Sequence, residues 1–257
     1  MGGTIMTDMF SVAGKKAIVT GAARGLGRGM AQGLHNAGVE LALIDVSDGI
    51  HVAARQINET GPRAFAIQAD LATRDQLRAA FQEAVKGLGG LDILLNNVGI
   101  TRWSQAEEMS EEDWDIVVEV NLNSLFFMAQ LAGQYMLKQK YGKIVNIASL
   151  LSFGGGYLTV GYAASKGGVA QMTKALANEW AGKGVNVNAI APGYMATEMN
   201  TPLMEDPARN QLIMDRVPAA RWGLPEDLVG ALIFLSSAAS DYVHGIVLPV
   251  DGGFLAR

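Results

Sequence analysis

The chain of 257 residues has no cysteine, three histidines, 49% hydrophobic and 18% charged residues, and a formal net charge of −5. That composition can bury a substantial core and excludes disulfides and thiolate metal sites. The acidic balance, with no Lys/Arg cluster long enough to track a phosphate backbone, predicts no nucleic-acid binding, and the scattered His35, His51 and His244 give no histidine-rich zinc site.

No run reads as long and apolar enough to cross a bilayer, and Met1 to Phe10 lacks the basic-then-apolar order of a signal peptide. A soluble, cytoplasmic protein with no membrane partner is expected.

In chain order, Lys16–Thr20 reads as a first strand, followed by Thr20-Gly21-Ala22-Ala23-Arg24-Gly25-Leu26-Gly27 and a helix near 25–37. Glycines allow a tight turn and close backbone approach, while a helix N-terminus offers free N–H groups to a pyrophosphate. A glycine-rich turn alone is a weak signal; its place between the first strand and first helix strengthens it. The second strand, Glu40–Asp45, ends in a carboxylate that can accept both adenosine ribose hydroxyls and repel a 2′-phosphate. Asp45 therefore favours NAD over NADP, although it could also serve as a helix cap, and Arg24 could pair with a 2′-phosphate.

Further along, a helix near 48–60, a strand Ala64–Ala69, a helix near 73–87 and a strand Ile93–Asn96 continue the alternation. A long helix near 110–138, a strand Lys143–Ala148, a helix near 160–182 and a strand Val185–Ile190 follow, then a helix near 225–237 and a last strand Ile246–Val250. This order predicts an α/β fold, a single-domain, Rossmann-like doubly wound parallel sheet with helices on both faces, spanning residues 1–257. Only Thr197–Val217 breaks the rhythm, with Pro202, Pro207 and several methionines. It reads either as a substrate lid or as a helical excursion on the surface.

Tyr162 and Lys166 stand four residues apart on one predicted helix, so phenol and ammonium share a face, with Ser149 thirteen residues upstream of Tyr162. A cation beside a phenol favours the phenolate and should lower its pKa, as proton exchange with an alcohol requires. A Tyr-x-x-x-Lys match alone is common by chance; its neighbours give it weight.

Those neighbours are Thr20-Gly21-x-x-x-Gly25-x-Gly27, Asp70-Leu71, Asn96-Asn97-Val98-Gly99, Asn121, Ser149, Tyr162-x-x-x-Lys166 and Pro192-Gly193. In this order and over nearly the whole chain, they resemble the short-chain dehydrogenase/reductase family, with Val98 where the family motif usually has alanine. The resemblance implies Tyr162 as general base or acid, Ser149 as hydrogen-bond partner of the substrate oxygen, and Lys166 holding the nicotinamide ribose. It implies that Asn121 sits at a helix break and holds a water connected to Lys166. Cofactor contacts are implied at Gly21, Arg24, Gly25, Leu26, Gly27, Asp45, Asp70, Leu71, Asn97, Gly99, Tyr162, Lys166, Pro192, Gly193 and Thr197, with Asp70 at the adenine and Asn96 stabilising the central strand. No metal is needed for direct hydride transfer.

Several runs, among them Arg216-Val217-Pro218-Ala219-Ala220-Arg221-Trp222-Gly223-Leu224-Pro225 and the tail from Val250, resemble a branch of that family that acts on sugar acids. Such a substrate needs a cation for its carboxylate, and Arg102, just after the fourth strand, is the candidate, although a solvated loop arginine is as good an account of it. Phe153-Gly154-Gly155-Gly156-Tyr157 could border the pocket. Alternatives are a 3-oxoacyl thioester reductase or a neutral polyol dehydrogenase of the same family. A nucleotide sensor without turnover is disfavoured because sensing needs no proton relay. The resemblance also implies a homotetramer, for which the second faces of the helices near 110–138 and 160–182 are candidates.

Overall fold

A computed structural model describes residues 9–59 and 61–257. Most of the Met1 to Phe10 segment, and Thr60 at the end of one expected helix, lie outside the described residues. The strands are β1 (Lys16–Thr20), β2 (Glu40–Asp45), β3 (Ala64–Gln68), β4 (Ile93–Asn96), β5 (Gly142–Ile147), β6 (Val185–Pro192) and β7 (Val247–Val250). The helices are α1 (Gly25–Asn36), α2 (Gly49–Ile57), α3 (Arg74–Leu88), α4 (Glu111–Val118), α5 (Ser124–Gln139), α6 (Val160–Trp180), α7 (Thr201–Met204), α8 (Pro207–Met214) and α9 (Val229–Ser236).

Among the described residues the strands form one seven-stranded sheet, ordered β3-β2-β1-β4-β5-β6-β7, with every pairing parallel. Strands buried on both faces read as continuous apolar runs rather than alternating ones. Both β5 and β6 are buried along their whole length. Met30 and Leu34 of α1, Ile50 of α2 and Leu232 of α9 fill one side. Leu77 and Phe81 of α3, Met128 of α5 and Leu176 of α6 fill the other. Each such side chain contributes about 1.5–3 kcal/mol relative to exposure. Because strand order reverses between β1 and β4, the chain diverges beyond their carboxyl ends and leaves a crevice there.

Helices α4 and α5 are continuous through a π-turn, Glu119–Asn123. The whole run, Glu111–Gln139, has 29 residues and a window of mean hydropathy 1.4, long and apolar enough by those measures to cross a membrane. This corrects the expectation that no run reaches that length. The reason for its apolarity is visible: Leu125, Met128, Ala129, Ala132 and Met136 are buried in the core.

Thr197–Val217 forms a 3-10 turn, Glu198–Asn200, then α7 and α8. Pro207 opens α8, and the Asp206 carboxylate accepts hydrogen bonds from the backbone of Ala208 and Arg209, a strong start signal for a short helix. Leu203, Ile213 and Val217 pack on Leu150 and Phe254, which seats the segment over the carboxyl edge of the sheet.

Candidate active site

At the end of β1 the Thr20 hydroxyl accepts hydrogen bonds from the backbone of Asn97 (2.9 Å) and Val98 (3.1 Å). The Asn97 amide nitrogen donates back to the carbonyls of Thr20 and Gly21. This side chain therefore ties the ends of β1 and β4 together. Gly21 sits at φ 65, and a Cβ on Gly27 would collide with the Gly21 carbonyl oxygen, so α1 starts hard against the strand end. No side chain caps the N-terminus of α1. A turn without side-chain bulk leading into uncapped helix N–H groups fits a dinucleotide pyrophosphate.

The other cofactor candidates lie along the carboxyl edge of the sheet, with Asp45 and Thr197 next to that turn. Asp45 accepts hydrogen bonds from the backbone of Ala23 and Ser47, both at 3.0 Å, which fixes its carboxylate beside the turn. Thr197 faces Gly25 from the opposite side. Pro192 ends β6, and Gly193 follows it into the crevice. Asp70 caps the turn after β3 by accepting from Ala72, while the Leu71 side chain is core. Leu26 packs against the core from α1. Arg24 forms an ion pair with Glu198.

Asn96 is fully buried and donates to the carbonyl of Leu125 (2.7 Å) and to Asn146 (3.2 Å), which in turn donates to Thr173. This chain of amides joins β4, β5, α5 and α6.

Ser149 leaves the end of β5, and Tyr162 and Lys166 come from the first turns of α6. Ser149 and Tyr162 line a cavity of about 530 Å³, and Lys166 is buried behind them with its ammonium donating to the Ile147 carbonyl at 2.7 Å. Burial pushes the Tyr162 phenol up from its ordinary pKa, and a hydrogen bond with Ser149 pulls it partly back. The direction is opposite to the expectation drawn from Lys166 alone. Lys166 is itself desolvated, with its pKa pulled down to about 8. A low-dielectric enclosure penalises the charged form of both groups, so proximity does not act as it would in water.

Asn121 stands in the π-turn, as a helix break requires. The extra residue of such a turn re-aims side chains, and here it turns Asn121 inward. Its side-chain oxygen accepts from the Ile100 N–H, and its amide donates to the Ile100 carbonyl and the Ser165 hydroxyl. Asn121 thus clasps the loop after β4 to α6. A Cβ on Gly99 would lie 3.4 Å from both the Asn121 oxygen and the Lys166 nitrogen, so the loop passes close to Lys166.

Of the run Phe153–Tyr157 that the sequence suggested, Gly154, Gly155, Gly156 and Tyr157 border the cavity, while Phe153 is exposed outside its lining. Arg102 does not line it; its side chain is paired with Asp113 at 3.0 Å. In this arrangement Arg102 turns to α4, where Asp113 supplies its carboxylate partner. Sequence reasoning missed Arg209 and Arg216, which do line the cavity, and Phe254 of the tail. Both lie in the 197–217 segment that the sequence marks as a lid, which was the available signal.

A doubly wound sheet with a glycine-rich turn and a Ser-Tyr-Lys group at its carboxyl edge is the arrangement of a dinucleotide-dependent oxidoreductase. Residues 21–255 match the family described as enoyl-(acyl carrier protein) reductase. The chain is 49% identical over 254 residues to the 2-dehydro-3-deoxy-D-gluconate 5-dehydrogenase of Escherichia coli, covering 98% of this chain and 100% of that protein. Identity to the enzyme of the same name from Bacillus subtilis is 45% over 250 residues, covering 97% and 98%. A crystal structure of a gluconate 5-dehydrogenase from Burkholderia cenocepacia, in complex with NADP and tartrate, superposes with a TM-score of 0.94 at 39% identity, covering 97% of this chain and 98% of that one. The chain belongs to the short-chain dehydrogenase/reductase family and is an oxidoreductase acting on a hydroxyl group.

Proposed function

We propose that this protein interconverts a secondary alcohol and a ketone of a sugar acid, of the class of gluconate or 2-dehydro-3-deoxy-D-gluconate, with NAD ahead of NADP. The observation that carries the reading is the placement of Ser149 and Tyr162 in one cavity, backed by Lys166, at the same carboxyl edge of the sheet as the glycine-rich turn. The names of the curated relatives supply the substrate class.

When bound, the nicotinamide supplies or takes the hydride. Tyr162 takes the hydroxyl proton in oxidation and returns it in reduction, and the Ser149 hydroxyl holds the same substrate oxygen by a hydrogen bond. Lys166 holds the nicotinamide ribose, and its charge supports the phenolate when the site is engaged. Gly21, Gly25 and Gly27 leave room for the pyrophosphate, and Asp45 accepts from the ribose hydroxyls. The NADP in the Burkholderia relative is the observation favouring the second cofactor, and Arg24 is the residue that would hold its 2′-phosphate.

Segment 197–217 acts as a lid over the cavity, resting on Leu150 and Phe254. The long helices α5 and α6 supply an interface for a homotetramer, which light scattering would test. A monomer would refute the assembly.

Purified protein with NAD, then NADP, against gluconate, 2-dehydro-3-deoxy-D-gluconate and neutral polyols tests the whole reading by nicotinamide absorbance. Turnover of sugar acids with NAD supports it; turnover of polyols alone, or with NADP alone, overturns the substrate or the cofactor.

A further inference from the structure

The charge of the cavity differs from that of the chain. The net charge is −5, yet no aspartate or glutamate lines the cavity, and its only charged lining residues among those described are Arg209 and Arg216. An acidic protein that keeps carboxylates out of a pocket and turns two guanidinium groups toward it concentrates anions there.

Arg216 is set apart from the other arginines near the crevice. Arg24 is held by Glu198, Arg102 by Asp113 and Arg221 by Asp227. Among the described residues the Arg216 guanidinium donates no hydrogen bond and forms no ion pair. It lies instead over the Phe254 ring, 4.2 Å from the centroid. Phe254 is buried and packs edge-on against Tyr194, with centroids 5.4 Å apart. Stacking orients the planar guanidinium without consuming its N–H donors, which leaves the fork available for a bidentate carboxylate.

Arg209 lies in α8 (Pro207–Met214) and Arg216 two residues past its end, and both line the cavity. Among the described residues the Arg209 guanidinium pairs only with Asp206, at a loose 3.7 Å, and it stands 5.9 Å from the centroid of Tyr157 on the glycine loop. Both arginines therefore ride on the 197–217 segment and face the cavity that holds Ser149 and Tyr162.

We propose that Arg216, with Arg209 as a second arm, binds the substrate carboxylate. The proposal rests on the sugar-acid reading above and adds which residues read the acid. One anionic ligand then spans the catalytic pair and the lid, so the acid group draws the lid onto the substrate. A neutral polyol makes no such bridge.

The test compares steady-state kinetics for gluconate and 2-dehydro-3-deoxy-D-gluconate in the intact enzyme and in Arg216→Gln, Arg216→Lys, Arg209→Gln and Arg102→Ala, with NAD affinity measured by titration. Arg216→Gln is expected to raise KM for the acid about 10- to 100-fold, the loss of a charge-assisted pair, while the Kd for NAD stays within about twofold. Arg216→Lys should recover part of that loss, Arg209→Gln should show a smaller rise, and Arg102→Ala should leave KM near the parent value. A merely structural role for Arg216 would lower thermal stability and kcat without this selective rise, and would overturn the proposal. So would an unchanged KM in Arg216→Gln, or a rise confined to Arg102→Ala. Failure of the parent enzyme to use either acid would instead overturn the sugar-acid reading itself.

Discussion

Arg24 lies 2.6 Å from Glu198, so one exposed ion pair joins the glycine-rich turn to the segment over the cavity. Such a pair adds little stability. Its electrostatic consequence is larger, because Glu198 occupies the cation best placed to meet a 2′-phosphate. Asp45 is fixed beside the same turn, so under the proposed preference for NAD these two carboxylates would oppose a 2′-phosphate. Asp45→Ala should narrow the preference for NAD over NADP, and adding Glu198→Gln should narrow it further by freeing Arg24. The ratio of kcat/KM values for the two cofactors reads this directly, and an unchanged ratio in the double variant would remove both residues from the selectivity argument.

Tyr162→Phe keeps the ring and removes the exchangeable proton. Turnover should fall about 100- to 10,000-fold, the usual worth of a positioned acid or base. Cofactor titration should show NAD still bound. Activity close to the parent level would assign the proton transfer to another group.

Because burial raises the Tyr162 pKa, little phenolate exists at neutral pH, and its fraction grows as pH rises. The kcat/KM for alcohol oxidation should therefore climb with pH above neutrality, whereas ketone reduction, which needs the protonated phenol, should not. A flat profile for oxidation between pH 7 and 9 would contradict a phenol raised in this way.

Lys166 carries the opposite shift, down to about 8 from 10.5. Between those values the unfolded chain binds a proton that the folded chain has released, so stability rises with pH across that window. The contribution is complete above 10.5 and is lost as pH falls through about 8. Lys166→Met lacks this titration. The parent should gain stability relative to the variant between neutral pH and pH 10, as measured by urea unfolding; a constant difference would mean that the lysine is not desolvated as described.

Asn121→Ala should destabilise the fold by leaving the Ile100 N–H and carbonyl without their partner. Each orphaned buried group costs about 1–3 kcal/mol. Urea unfolding with no measurable loss would show that the clasp between the β4 loop and α6 is replaceable.

The alternation of apolar runs with amphipathic segments was legible in the sequence, since β1, β2 and β4 have the bounds that periodicity predicts. Glycine spacing placed the tight turn after β1 for a related reason: only glycine tolerates the contact between Gly27 and Gly21, so a steric need is written as a residue type. The four-residue step from Tyr162 to Lys166 placed both on one helix face. Each of these is a local constraint, set within one or two elements.

What tertiary structure decided involves partners far apart in the chain. The sequence placed Arg102 as well as it could, beside a strand end, but could not see that Asp113 would hold it while Arg216 stacked on Phe254. Nor could spacing give the sign of the Tyr162 shift, because desolvation depends on everything packed around the phenol and can outweigh a nearby cation. The sequence by itself therefore determined the fold and the shared helix face of Tyr162 and Lys166, through local sterics and periodicity. Only the packed structure decided their charge states and which arginines face the cavity, because burial and pairing arise when distant segments meet.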